Sequence, residues 1–211
     1  MSAILNHTIN DFITLFVVVD PIGLVLPTFL ALTGDCPPAL RRQVAVQSVL
    51  VAFIVMLFFI ALAQIIVEAI GLSLRSFQIA GGIILFLFAI SLVLGGGPTM
   101  PVAASGKADY KTMAVFPSAI PTISGPGTML TAMLITDNDR FGVFEQLQTA
   151  LAGALVLSVT LVLLLLADPV YRVIGSSGTS VVRRIMGMIL AALAVSVVLS
   201  GLAVWLGLPK P

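Results

Sequence analysis

Residues 9–32 read INDFITLFVVVDPIGLVLPTFLAL, an apolar run of membrane-spanning length interrupted at its centre by Asp20, Pro21 and Gly23. At about 1.5 Å per residue, the pieces 9–19 and 24–32 each reach roughly half of a ~30 Å hydrocarbon core, so only the whole run can cross. Pro21 removes a backbone donor and Gly23 admits unusual dihedrals. The amides and carbonyls freed there need polar partners inside the bilayer, and a buried polar site supplies them.

The interruption recurs. In Gly125-Pro126-Gly127, Pro126 stands 105 residues after Pro21, and the same offset sets Gly187 over Gly82, Ser196 over Ser91 and Gly201 over Gly96. Similar apolar composition produces some matches at any offset, but coincident prolines and glycines are harder to obtain that way. The pattern predicts an internal repeat with an unwound site in each copy, the sequence pointer to a transporter binding site.

With 59% hydrophobic and 9% charged residues and a mean hydropathy of +1.19, the chain cannot coat a soluble globule with polar surface. Six segments reach spanning length: about 9–32, 44–69, 77–95, 112–136, 148–168 and 183–206. None alternates apolar and polar residues as a barrel strand does. The fold class expected is an all-α polytopic membrane protein of six transmembrane helices, with helices 1 and 4 broken near mid-membrane. It forms a single membrane domain over 1–211, with repeat one at 6–96 and repeat two at 111–201. Three crossings per repeat make the two copies inverted. The start lacks the basic region of a cleaved signal peptide, so the first segment is expected to remain in the mature protein.

Six crossings put Arg41, Arg42, Lys107, Lys111, Arg172, Arg183 and Arg184 on one side and Arg75, Arg140 and Lys210 on the other. This seven-to-three split places the first group in the cytoplasm and both termini outside. A net charge of +1 gives no reason to expect a nucleic-acid partner. Cys36 is the single cysteine, which excludes an internal disulfide.

A broken helix presents the negative end of one half and the positive end of the next near mid-membrane, a pair that suits a zwitterion. The candidate substrate-binding residues are Asp20, Pro21 and Gly23 at the first break and Ser124, Gly125, Gly127 and Thr128 at the second. Asp20 stands near the middle of its segment, where an acid is costly and by default functional. Its alternative role is to cap the half-helix that starts at Pro21, and both roles can hold at once. Gly81, Gly82, Gly187 and Gly201 read as points of close helix approach, and Arg183-Arg184 reads as an interface anchor. Metal-binding, nucleophile and phosphate-loop patterns are missing from the sequence, so neither an enzyme nor a cofactor is expected.

These residues carry a family resemblance. The stretches Asp20-Pro21-Ile22-Gly23, Phe77-Gln78-Ile79-Ala80-Gly81-Gly82 and Ala114-Val115-Phe116-Pro117-Ser118-Ala119-Ile120-Pro121, the last running on to Gly125-Pro126-Gly127, resemble the MarC family of integral membrane proteins, which includes the small neutral amino acid transporters called SnatA. Many members have Asn where this chain has Leu24, and Arg where it has Gln78. The resemblance implies a bacterial or archaeal inner-membrane protein with six helices, and transport of small neutral amino acids in some members.

The reading reached is a secondary transporter of a small zwitterionic amino acid, of the glycine or alanine type, working by alternating access. Besides the lipid bilayer, its candidate partners are a coupling proton or sodium ion and further copies of the chain. A non-transporting scaffold or partner-binding protein, and a narrow channel, are the alternatives.

Overall fold

Inside a bilayer an apolar chain must satisfy its backbone polar groups internally, and long segments without alternation do so as helices. The computed structural model describes residues 2–62, 65–66, 69–71, 73–95, 114–136 and 143–207. Among these residues the elements are α1 (Ser2–Val19), a first break segment (Pro21–Val25), α2 (Leu26–Thr33), α3 (Pro38–Ala61), α4 (Leu74–Val93), a second break segment (Ala114–Ile123), α5 (Pro126–Ile135), α6 (Val143–Leu165) and α7 (Ala167–Trp205). The expected 96–111 connection with Lys107 and Lys111, as well as Gln64, Glu68, Arg140 and Lys210, lie outside the described residues.

Among the described residues, five stretches are long and apolar enough to cross a membrane: Thr8–Thr33, Pro38–Ala61, Arg75–Val93, Gln146–Leu165 and Ala167–Trp205. The expected fourth segment, 112–136, is divided into Ala114–Ile123 and Pro126–Ile135, of ten residues each, and each piece is only about 15 Å long. The sequence explains the division. Phe116 (φ −135°, ψ 125°) and Ile120 (φ −121°, ψ 124°) are extended, and each precedes a proline whose ring clashes with a helical residue before it. Gly125, before Pro126, is extended as well (φ −78°, ψ 175°). The last segment differs at its start: α7 begins at Ala167 and kinks at Gly175, where φ is 68°. Arg172, expected in the connection between the fifth and sixth segments, is therefore a helical residue, as Arg183 and Arg184 are.

Two buried clusters organise the packing. The first joins α1, α3 and α6 and includes Phe29 and Ile123, while the second joins α4, α5 and α7 and includes Leu85, Leu130 and Leu190. Val25 belongs to the first cluster and its neighbour Leu24 to the second, so the first break lies between them. The α4–α7 crossing is close. A Cβ on Gly82 would lie 2.7 Å from Val198 Cγ2, and one on Gly187 would lie 3.1 Å from the Ala89 carbonyl oxygen, as expected for small residues at a membrane helix contact. Outward, Ile13, Leu50, Ile54, Leu87 and Leu147 are each more than half exposed, an apolar perimeter suited to lipid.

Polar side chains tie the helix ends. Arg41, in the first turns of α3, donates from Nε and Nη2 to the Thr33 carbonyl at 3.3 and 3.1 Å, and pairs with Asp168 at 2.5 Å. It thereby caps the carbonyls left over at the end of α2 and holds them beside the start of α7.

Candidate functional site

The first break is built on Asp20. Its backbone is left-handed (φ 46°, ψ 65°), and among the described residues it is the only non-glycine with positive φ. Aspartate tolerates this conformation better than most side chains because its short carboxylate can bond locally. Asp20 Oδ1 accepts from the Gly23 N–H at 2.9 Å. Pro21 cannot donate, and the turn widens so that the Val25 N–H reaches the Asp20 carbonyl at 3.1 Å, a π-type bond. The capping role is thus met by one carboxylate oxygen. Asp20 is 2% exposed, and its other oxygen, Oδ2, is buried with no hydrogen-bond partner.

Gly23 makes the next contact possible. A Cβ there would lie 2.6 Å from Asp20 Oδ2, 2.7 Å from Arg183 Cα and 2.8 Å from Arg183 N. The backbone of α7 therefore rests directly on the first break, and Arg183 Nε is buried there without a hydrogen-bond partner.

The second break packs against the first and is lined by hydroxyls. Ser118, Thr122, Ser124, Thr128 and Thr131 are all buried. Ser124 donates to the Ala52 carbonyl of α3 at 3.0 Å, and Thr128 to the Ile123 carbonyl at 3.0 Å. Ser48 of α3 meets Ser118 at 2.8 Å. Thr128 thereby satisfies a carbonyl at the break itself, while Ser124 and Ser118 tie the break to the interior of α3. Gly125 is buried at the start of α5. Gly127 is covered by side chains, since a Cβ there would lie 2.6 Å from Leu85 Cδ1 and 3.3 Å from Val18 Cγ1.

Of the residues expected from the sequence, Asp20, Pro21 and Gly23 lie buried together at the first break, and Ser124, Gly125, Gly127 and Thr128 lie buried between the end of the second break segment and the first turn of α5. Three participants were not foreseen. Arg183 read as an interface anchor, yet it stands 105 residues after Gln78, the offset that joins Pro21 to Pro126, and that offset was the available signal. Ser48 carries no motif. Asp11 is a second acid inside the first span; it is 6% exposed and its Oδ2 accepts from Thr149 Oγ1 of α6 at 2.6 Å. Among the described residues no three His, Cys, Asp or Glu side chains come together as a metal site would need.

Long apolar helices, one of them broken around a buried carboxylate, define an all-helical integral membrane protein with a polar site enclosed among its helices. The sequence signature of the MarC family integral membrane proteins matches residues 5–206, nearly the whole chain, and the chain belongs to that family. It is 33% identical over 205 residues to a UPF0056 membrane protein of Archaeoglobus fulgidus, covering 96% of this chain and 95% of the relative. It is 31% identical over 204 residues to the UPF0056 inner membrane protein YhgN of Escherichia coli, covering 96% and 99%. A UPF0056 membrane protein of Methanocaldococcus jannaschii is 32% identical over 200 residues, covering 94% and 97%. No solved structure matches the chain.

Proposed function

We propose that this protein is a secondary transporter of small neutral amino acids in the cytoplasmic membrane, working by alternating access of two inverted three-helix repeats with both termini outside. The observation that carries the reading is Asp20. A carboxylate buried at a helix break, with one oxygen capping the turn and the other without a partner, is costly in a membrane and suits a cationic group of a substrate or a coupling proton.

The repeat is supported by the way the halves exchange partners. Helix α1 of the first half packs on α6 of the second, while the break segment of the second half packs on α3 of the first. In the same way α4 packs on α5, and α7 packs on the first break. The pairs α4 with α7 and α3 with α6 close the arrangement across the middle. The two breaks thus lie where rocking of one half against the other exposes them alternately to each side.

A specific observation favours the scaffold alternative: Ser124 and Thr128 donate to backbone carbonyls, and side chains cover Gly127. Counterflow in proteoliposomes separates the readings. A transporter loaded with unlabelled alanine accumulates external labelled alanine or glycine transiently and saturably. A scaffold gives no uptake with any neutral amino acid, and a channel gives uptake without saturation or counterflow.

A further inference from the structure

The Asp20 carboxylate and the backbone of Arg183 meet at the first break, and each of these two residues of opposite charge has an unsatisfied polar side-chain atom. Asp20 Oδ2 and Arg183 Nε are both buried with no hydrogen-bond partner. They come from different halves of the chain, and Asp20 Oδ2 and the Arg183 backbone press on the same face of Gly23, at 2.6 and 2.7 Å from where its Cβ would be. No hydrogen bond joins the two. Leaving charged groups buried and incompletely paired is costly unless something else completes them.

An α-amino acid is the smallest molecule with the matching shape. Its ammonium and carboxylate are carried on a single carbon, so it can bridge an acid and a base only where the two are close, and the Asp20 carboxylate and the backbone that carries the Arg183 side chain both lie against Gly23. We propose that Asp20 and Arg183 are the two poles of a zwitterion site, in which Asp20 Oδ2 accepts from the substrate ammonium and the Arg183 guanidinium donates to the substrate carboxylate. This deepens the transporter reading and rests on it. It assigns the carboxylate to a side chain of α7, where the break amides alone had been expected to hold it. Guanidinium suits the task because its planar fork pairs with both carboxylate oxygens. In this arrangement binding joins the two halves of the protein through the substrate, which gives the ligand a direct hold on their relative position.

The test measures binding of three probes to the purified, detergent-solubilised protein by calorimetry: L-alanine, L-alaninamide, which lacks the carboxylate, and propionate, which lacks the ammonium. L-alanine is expected to bind at least about tenfold more tightly than either analogue, the loss expected when a charged hydrogen-bond partner is removed. In Arg183→Gln the preference for alanine over alaninamide should collapse toward unity, and Arg183→Lys should restore part of it. An arginine with a purely structural role lowers thermal stability but leaves that ratio unchanged. Equal binding of alanine and alaninamide by the natural protein, or an unchanged ratio in Arg183→Gln, overturns the proposal while leaving the transporter reading intact. Failure of every neutral amino acid both to bind and to exchange in vesicles overturns both.

Discussion

Replacing Gly23 with alanine is the sharpest probe of the contact between the first break and α7. Its added methyl would start 2.7 Å from Arg183 Cα and 2.8 Å from Arg183 N, where ordinary van der Waals contact begins at 3.4 Å. The obstructing atoms are backbone in a long helix, so relief requires α7 to retreat along the seam it shares with α4. The same methyl would press on Asp20 Oδ2 at 2.6 Å and disturb the carboxylate that caps the turn. Overpacking of this kind costs about 1–3 kcal/mol and more when only backbone can yield, whereas exchanging glycine for alanine in a helix gains at most about 1 kcal/mol. The net expectation is a loss of about 2 kcal/mol or more. Gly81→Ala is the internal comparison, because the nearest atoms to a Cβ there are Leu130 Cδ1, Cδ2 and Cγ, the last two at 2.6 and 2.9 Å, a side chain that can turn aside where backbone cannot. Thermal unfolding of both variants in one detergent should show Gly23→Ala melting well below Gly81→Ala, with alanine binding weakened as well. If Gly23→Ala melts at or above Gly81→Ala, the close approach of α7 to the break is wrong, and the geometry proposed for Arg183 falls with it.

Asp20→Asn keeps a side chain that tolerates the left-handed backbone and an oxygen that can accept from the Gly23 N–H, so it should fold with a melting temperature close to that of the natural protein while losing substrate binding or proton coupling; transport with unchanged affinity and pH dependence would reduce Asp20 to a cap. Gly127→Ala should impair glycine and alanine transport equally, because its methyl meets the Leu85 and Val18 side chains; a selective loss of alanine in the same vesicles would show instead that the glycine faces the substrate. After replacement of Cys36, cysteines placed near His7 and Lys210 should react with a membrane-impermeant reagent on intact cells, and one near Lys107 should not. Labelling at Lys107 from outside would reverse the orientation.

Much of the architecture was legible because its causes are local or global, and both kinds are written in the chain. Hydropathy and the need to satisfy backbone groups internally determine that the protein is a bundle of apolar helices. The proline at Pro21 and the residues before Pro117, Pro121 and Pro126 determine where helices break, since a missing donor and a ring clash act within one turn. The offset between the two breaks was readable for the same reason.

What the sequence did not settle is which faces meet. A helix that is apolar all round has no stripe to say which side turns inward. Arg183 therefore read as an anchor until the packing of α7 laid its backbone on Gly23. Asp11 passed unnoticed until α6 brought Thr149 to it. Ser124 and Thr128 read as ligand contacts, and only the positions of the Ala52 and Ile123 carbonyls decided where their protons go. Such contacts join residues distant in the chain, through helices whose relative rotation is set by where small residues let backbones approach. The chemistry of the break was therefore present in the sequence at Asp20, while its partner on α7 was selected by tertiary packing.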